Sequence, residues 1–222
     1  MTPHSFVKAL GRIHLDGVFN PYGERCSLCD RADADRRRRA NLRALLDAPI
    51  RMRIDSLWVA RDLGYRGGRR TGLPLTDEEH LPALSQAYGG LTLHRATKGL
   101  PVAERTAAVI WKMLARVDQP VFLWNVFPLH PFEPGRPLSN RRHTRAERRT
   151  CQDLFFALLD ALQPRRIVAI GKDAHDTLEE FGLEHHPVRH PSHGGQAAFA
   201  EGVSRLYGVE EQMSGKERFA GG

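Results

Sequence analysis

Polar residues at three places in this chain have the types needed for chemistry on a nucleic acid base. Asp62 follows the apolar run SLWVA and Arg61, and Asn125 lies inside the run VFLWNV. The sequence HPSHGG begins at His190. An amide can read the hydrogen-bonding edge of a base, while a carboxylate and an imidazole act on the bond beside it. Each residue also has a simpler alternative, because turns, helix caps and satisfied strand positions use the same residue types.

The apolar runs alternate with helical patterns, and this alternation predicts how the three groups are positioned. The predicted buried strands are 56–60, 121–126, 166–170 and 186–190. The predicted helices are 33–46, 101–117, one after the capping box at Thr144 and one ending near Gly182. This order predicts an α/β fold, a three-layer α/β/α sandwich with a short, mainly parallel central sheet. Because parallel strands carry ligand sites at their carboxyl ends, we expect the three groups to meet at one rim.

The length and composition indicate one hydrophobic core. With 222 residues and 41% hydrophobic content, the chain is long enough for one core and short for two. We expect a single domain over residues 1–208 and a flexible, polar and glycine-rich tail over 209–222. No apolar run reaches the roughly 18 residues that span a bilayer, and the N-terminus lacks a secretory pattern. A cytoplasmic protein without membrane partners is therefore expected, and no oligomeric state is predicted.

The charge favours a polyanionic partner. Lys and Arg outnumber Asp and Glu by 33 to 26, which gives a formal net charge of +7 and a pI near 9.8. DNA or RNA is the first partner to consider, with an ordinary basic soluble protein as the alternative. The residues predicted to contact phosphates or DNA are Arg66, Arg69, Arg70, Arg142, Lys172, Ser192 and His193. The arginine run 36–39 is interpreted as a solvated helix face, and His143 as an ordinary histidine.

Three segments together carry a resemblance to a known family. In this order and spacing, VARDLGYRGGRRTGLPLTDE, LWNVFPLHP and HPSHGG resemble the motifs of the uracil-DNA glycosylase superfamily, over about Cys26 to Gly195. The resemblance implies a monofunctional DNA glycosylase, which hydrolyses the N-glycosidic bond of a flipped base. It implies that Asp62 is the catalytic carboxylate, that Asn125 reads the base edge and that His190 supports the leaving base.

The reaction explains why those residue types are needed. Breaking an N-glycosidic bond builds positive charge on the sugar and negative charge on the departing base. A carboxylate at Asp62 can stabilise the sugar and position water, while His190 donates a hydrogen bond to the base oxygen that gains charge. Since no lysine or terminal amine is required, no lyase step is predicted.

Departures from the family pattern predict a roomier pocket. The first motif has Ala60 where the family usually has glycine, and Leu63 where proline follows the aspartate. Gly64 occupies the position of the tyrosine that blocks the 5-position of the pyrimidine in strict uracil enzymes. An aliphatic residue, Leu75, falls at or beside the aromatic on which the base stacks. The predicted base-binding residues are Asn125, Arg61, Leu63, Gly64, Tyr65 and Leu75.

The substrate therefore has several alternatives. Uracil or a 5-substituted pyrimidine in the cell's own DNA is one, and excision of hypermodified cytosines from phage DNA is another. Either His193 acts as the wedge that opens the duplex, or the enzyme prefers single strands and weakened pairs. The alternative from another class of protein is a catalytically inactive DNA-binding protein on the same scaffold. The presence of the ionisable pair Asp62 and His190 argues against this alternative.

The cysteines resemble part of an iron-sulfur ligand set. In the thermostable branch of the superfamily four cysteines hold a cluster, and Cys26, Cys29 and Cys151 match three of them. The remaining position falls on Leu129, next to His130. The resemblance implies a structural iron-sulfur cluster or zinc on these three cysteines and the histidine. A metal-free remnant with small buried cysteines is the alternative, and no cofactor is expected to be required for catalysis.

Overall fold

A short parallel sheet with helices around it forms the framework of the protein. The computed structural model describes residues 1–50 and 52–209. The strands are β1 (Val18–Phe19), β2 (Ser56–Asp62), β3 (Val121–Phe127), β4 (His130–Pro131), β5 (Arg166–Ile170) and β6 (His186–Val188). The helices are α1 (Pro3–Leu10), α2 (Ala34–Asp47), α3 (Gly68–Thr71), α4 (Leu81–Ala87), α5 (Arg105–Leu114), α6 (Arg145–Arg149), α7 (Gln152–Leu162), α8 (Lys172–Glu180) and α9 (Gln196–Tyr207). From residue 210 onwards, the predicted C-terminal tail lies outside the described residues.

The central sheet has four parallel strands within the described part of the chain, in the order β3-β2-β5-β6. Ala60 of β2 lies opposite Asn125 of β3, and Asp62 lies opposite Phe127. The strands are apolar along most of their length because helices cover both faces of a parallel sheet. Strands β1 and β4 form a separate antiparallel pair, with Phe19 opposite His130.

Two tryptophans show that helices pack on both faces of the sheet. Trp58 of β2 contacts α9, with its ring centroid 6.1 Å from that of Phe199 and 5.9 Å from that of Tyr207. Trp124 of β3 contacts α1, with its ring centroid 5.7 Å from that of Phe6. Because Trp124 lies opposite Val59, the residue after Trp58, alternation places the two tryptophans on opposite faces. The predicted α/β sandwich is confirmed.

The helix predicted over 101–117 begins only at Arg105. Two acidic side chains explain why the helix begins later in the chain than predicted. The backbone N–H of Val102 donates to Glu78 Oε2 at 3.1 Å, and that of Glu104 donates to Asp77 Oδ2 at 2.5 Å. These bonds hold the preceding segment out of the helix, since carboxylates that accept backbone N–H groups compete with helical hydrogen bonds.

The arginine run on α2 is not uniformly solvated, which corrects the interpretation of 36–39. Arg38 is fully buried and forms an ion pair with the buried Asp30, with Nη1 2.9 Å from Asp30 Oδ2. Its Nε atom donates to the carbonyl oxygen of Arg70 at 3.0 Å. Asp30 also accepts the N–H of Cys26 at 2.7 Å. The pair therefore ties α2 to the cysteine turn and to the end of α3.

Replacing Arg38 with Met is expected to lower the free energy of unfolding by about 3–5 kcal/mol, because the Asp30 carboxylate would remain buried and unpaired. Arg37→Met is the matched control, since Arg37 pairs with Asp33 at the surface and should leave the urea midpoint nearly unchanged. Urea unfolding followed by circular dichroism measures both variants. Equal midpoints would contradict the structural role of the buried pair.

Candidate active site

The carboxyl ends of the strands form the rim on which the predicted site residues lie. The chain passes from β2 to β3 on one side and then crosses to β5 on the other, so the order of the strands reverses around β2. Such a switch point opens a crevice beyond the strand ends. Asp62 is the last residue of β2, and alternation along paired strands places its side chain on the same face as Asn125. His190 follows the end of β6 by two residues.

The Asp62 carboxylate is largely buried and held by two nitrogen groups. Arg61 Nε donates to its Oδ2 atom at 2.7 Å, and Nδ1 of His143 lies 3.3 Å from the same oxygen. The side chain of Asp62 is 7% exposed and that of His143 is 6% exposed. Arg61 also reaches Asp173 of α8, with Nη1 3.2 Å from Oδ2. Within residues 1–50 and 52–209, both hydrogen bonds of the Asp62 carboxylate use Oδ2, which leaves Oδ1 open for water.

His143 is a site residue that the sequence analysis missed. It was interpreted as an ordinary histidine, yet its ring packs between Asp62 and Phe127, with a ring-centroid distance of 5.1 Å to Phe127. The available signal was its place directly before Thr144. Thr144 caps α6 in a capping box with Glu147, as predicted, and thereby fixes where the preceding residue lies.

His190 is held as a neutral hydrogen-bond donor. The N–H of Ser192 donates to His190 Nδ1 at 3.1 Å, which assigns the ring proton to Nε2. Burial lowers the pKa of His190 to about 4, and the charges of Arg61 and Arg189 act in the same direction. The ring packs closely on Gly171, where a Cβ atom would lie 2.8 Å from His190 Cβ. A larger residue at 171 would displace the imidazole.

Asn125 has an unsatisfied amide. The residue is 1% exposed, and within the described residues neither Nδ2 nor Oδ1 has a hydrogen-bond partner. A buried amide without partners is costly, so the geometry favours a ligand that supplies both a donor and an acceptor. The hydrogen-bonding edge of a pyrimidine offers that combination.

The loop after Asp62 carries the other predicted base-binding residues. Leu63 is buried, and its N–H donates to the carbonyl oxygen of Leu129 at 3.1 Å. The N–H of Tyr65 donates to Asn140 Oδ1 at 3.0 Å. Leu75 is buried with a φ of 54°, in the left-handed region that is unusual outside glycine and that recurs at functional sites. Gly64 lies between Leu63 and Tyr65 and is partly exposed.

The predicted DNA-contacting residues divide into an exposed or partly exposed group and a buried pair, Arg69 and Arg70. Arg66, Arg142, Lys172 and His193 are exposed, and Ser192 is partly exposed beside His190. His193 has a φ of 51° in an exposed loop that continues into Gly194. Arg142 Nη2 lies 3.4 Å from Asp173 Oδ1 and Lys172 Nζ lies 2.7 Å from Asp176 Oδ1, so a DNA phosphate would compete with these two surface ion pairs.

The structure corrects the prediction for Arg69 and Arg70, which are both buried. Arg70 Nε donates to Glu78 Oε2 at 2.9 Å, and its Nη2 donates to Thr97 Oγ1 at 2.9 Å. Arg69 stacks on Phe19, with its guanidinium carbon 4.0 Å from the ring centroid. Both guanidinium groups are used inside the protein and do not reach DNA phosphates.

The predicted metal ligands do not form one compact set. Among the described residues, the possible metal ligands whose ligand atoms lie within 4.8 Å of one another are His175, Asp176 and Glu179. The four predicted ligands, Cys26, Cys29, His130 and Cys151, do not form such a group. A tetrahedral zinc ion needs its ligand atoms within such a distance. Arg69 lies beside the cysteine turn instead, with Nη1 4.0 Å from Cys29 Sγ. These four residues therefore do not form a compact zinc site in this arrangement, while the iron-sulfur cluster, whose ligand atoms stand farther apart, stays a prediction.

Comparison with known proteins identifies the family. The model of the uracil DNA glycosylase superfamily matches residues 86–204, which is more than half of the chain and includes Asn125 and His190. The chain belongs to the uracil-DNA glycosylase superfamily. Membership makes it a DNA glycosylase and DNA its substrate. The described part of the chain contains no helix long and apolar enough to cross a membrane.

A solved structure supports the fold assignment for this superfamily member. The chain is similar to wild-type SMUG2 of Pedobacter heparinus, with a TM-score of 0.60 and 11% sequence identity. The similarity covers 94% of this chain and 96% of the other, so it extends well beyond the part that the family model matches. A search of curated proteins finds no match.

His190 is expected to stay neutral at pH 7 and at pH 5.5, and to become charged only as the pH falls through about 4, because its pKa is lowered. Nitrogen-15 NMR of the imidazole rings, assigned with His190→Gln, measures the titration and should show the Nε2–H tautomer. A ring that titrates between pH 6 and 7 would contradict the neutral-donor role.

Proposed function

We propose that this superfamily member is a monofunctional glycosylase that excises uracil or a 5-substituted pyrimidine flipped from DNA. The observation that carries the proposal is the buried amide of Asn125, which has no hydrogen-bond partner in the described part of the chain and lies on the same rim as a fixed carboxylate and a neutral histidine. An amide oriented in this way can bind the edge of a flipped base, and the two other groups can act on its glycosidic bond.

Asp62 acts on the sugar in this mechanism. As the bond to the base stretches, positive charge develops on the sugar, and a carboxylate in a water-poor site stabilises it strongly. Arg61 and His143 hold Oδ2, so the free Oδ1 can position the water that attacks the sugar carbon. Because both contacts use the same oxygen, the carboxylate is held in one orientation relative to the crevice.

His190 acts on the base. Ser192 satisfies Nδ1, and among the described residues Nε2 has no partner, so its N–H can donate to the base oxygen on which negative charge develops. A neutral imidazole strengthens this hydrogen bond as the charge grows, without first giving up a proton. The departing base then leaves as a stabilised anion. The proposed chemistry uses no metal, since Asp62 and His190 supply both electrostatic contributions.

The way in which DNA is held follows from the exposed residues. Arg66 and Arg142 are proposed to contact phosphates. Lys172, at the start of α8, and Ser192, in the HPSHGG loop, are proposed to contact phosphates as well. His193 is proposed as the wedge, because its exposed position in the HPSHGG loop suits insertion beside a flipped base. A strained backbone at such a position fits a functional role.

Substitution of Asp62 by Asn is expected to lower the single-turnover excision rate by about 10²- to 10⁴-fold, because the charge facing the sugar is lost. DNA affinity should change little. Asp118→Asn is the matched control and should keep the wild-type rate. Asp118 is exposed just before β3 begins, at the amino ends of the strands, whereas Asp62 lies at their carboxyl ends. The assay is run in EDTA, because no metal is required in the proposed reaction.

The substrates for this assay are single- and double-stranded oligonucleotides that carry uracil, 5-hydroxymethyluracil, hydroxymethylcytosine or glucosylated hydroxymethylcytosine. Excision is read as alkali-labile strand breaks. Cleavage confined to the glucosylated cytosine would favour antiviral defence over repair. Binding of DNA without any abasic product from the wild-type protein would contradict the proposed activity, and wild-type rates in Asp62→Asn would contradict the role of Asp62.

A further inference from the structure

Glu104 occupies the space that two glycines leave open in the loop after Asp62. A Cβ atom at Gly64 would lie 2.3 Å from Glu104 Oε1, and one at Gly67 would lie 2.1 Å from Glu104 Oε2. Neither glycine has a φ in the left-handed region. A side chain at either position would meet the carboxyl group of Glu104, and this close approach is one constraint that favours glycine there.

The position of Glu104 is fixed by its backbone. Its N–H donates to Asp77 Oδ2 at 2.5 Å, directly before α5 begins. Asp77 is itself buried, and its Oδ1 atom accepts the N–H groups of Glu79 at 3.1 Å and His80 at 2.9 Å. The backbone of Glu104 is thus fixed on a buried, hydrogen-bonded support, and its side chain extends from there to the loop.

The carboxyl oxygens of Glu104 lack partners inside the protein. Across residues 1–50 and 52–209, the hydrogen bonds of Glu104 involve its backbone, and no cation lies within ion-pair distance of its carboxylate. Burial and the charge of Asp77 raise the pKa of Glu104 to about 7, against the opposing effect of Arg66. The carboxyl oxygens are not fully enclosed, so either water or a ligand can supply the missing partners.

The proposed function defines which part of the base faces this group. Asp62 faces the sugar, Asn125 binds the hydrogen-bonding edge of the base, and His190 donates to a base oxygen. The remaining edge of a pyrimidine ring carries carbon 5. The loop that contains Gly64 lines the same crevice, because it begins at Asp62 and is fastened to the segment after β3 through the Leu63–Leu129 hydrogen bond.

We propose that the Glu104 carboxyl group forms the wall of the base pocket at carbon 5, and that it selects pyrimidines whose 5-substituent carries a hydrogen-bond donor, such as a hydroxymethyl group. This inference rests on the proposed function. Gly64 and Gly67 admit the carboxyl group, and Glu104 makes the space polar. A site that must satisfy a buried polar group discriminates against ligands that lack the matching donor.

The test compares 5-hydroxymethyluracil with uracil in single-stranded oligonucleotides, which removes differences in the cost of base flipping. In Glu104→Met, which keeps the side-chain length but removes the acceptor, the ratio of kcat/KM for 5-hydroxymethyluracil to that for uracil should fall at least tenfold. Glu104→Gln should restore part of the ratio, because an amide oxygen still accepts. Glu79→Met is the matched control, since Glu79 is exposed on the neighbouring turn, and it should leave the ratio unchanged.

A second variant tests the geometry. Gly64→Ala places a methyl group where Glu104 Oε1 lies and should lower the same ratio in the wild-type background, but not in Glu104→Met. An unchanged ratio in folded Glu104→Met, or wild-type protein that excises uracil and rejects 5-hydroxymethyluracil, would overturn the role of Glu104 alone. Wild-type protein that excises neither base nor any other modified pyrimidine would instead overturn the proposed function.

Discussion

The buried carboxylate of Asp62, at the end of a parallel strand, is the group around which the rest of the site is organised. An unpaired carboxylate at that depth would be neutralised or would destabilise the fold. Arg61 and His143 bind one of its oxygens, and Arg61 in turn contacts Asp173 of α8. The carboxylate that the proposed mechanism uses thus depends on contacts that three different segments supply.

The same rim depends on close approaches that glycine alone permits. Gly171 lets the imidazole of His190 lie against the end of β5, while Gly64 and Gly67 admit the carboxyl group of Glu104. Side chains at these positions would fill the space in which the site groups lie. The glycines in this rim therefore admit close contacts with groups from distant parts of the chain, and in the proposed site these groups form the walls of the pocket.

Local patterns predicted much of the framework. Apolar runs located the strands of the central sheet, the capping box located the start of α6, and the order of strands and helices placed Asp62, Asn125 and His190 on one rim. Each of these inferences used neighbouring residues or the general geometry of parallel sheets. The roles of the three residues remain predictions that the experiments above address.

Long-range pairing could not be predicted in the same way. Arg38, Arg69 and Arg70 belong to arginine-rich runs that are typical of solvated surfaces, yet their partners include Asp30, Phe19 and Glu78. His143 meets Asp62 across 81 residues of sequence. Glu104 meets Gly64 only because Asp77 and Glu78 delay the start of α5. Such contacts depend on the tertiary fold, which no local pattern contains.

The most direct test of the account is a crystal structure of the protein with DNA that carries a 2′-fluoro nucleotide of the best substrate base, which resists cleavage because fluorine destabilises the cationic sugar. We predict that the base is flipped, that the Asn125 amide hydrogen-bonds its edge, and that Asp62 Oδ1 faces the sugar carbon with His190 Nε2 at a base oxygen. A base that remains stacked in the DNA, or one bound away from Asn125, would contradict the account.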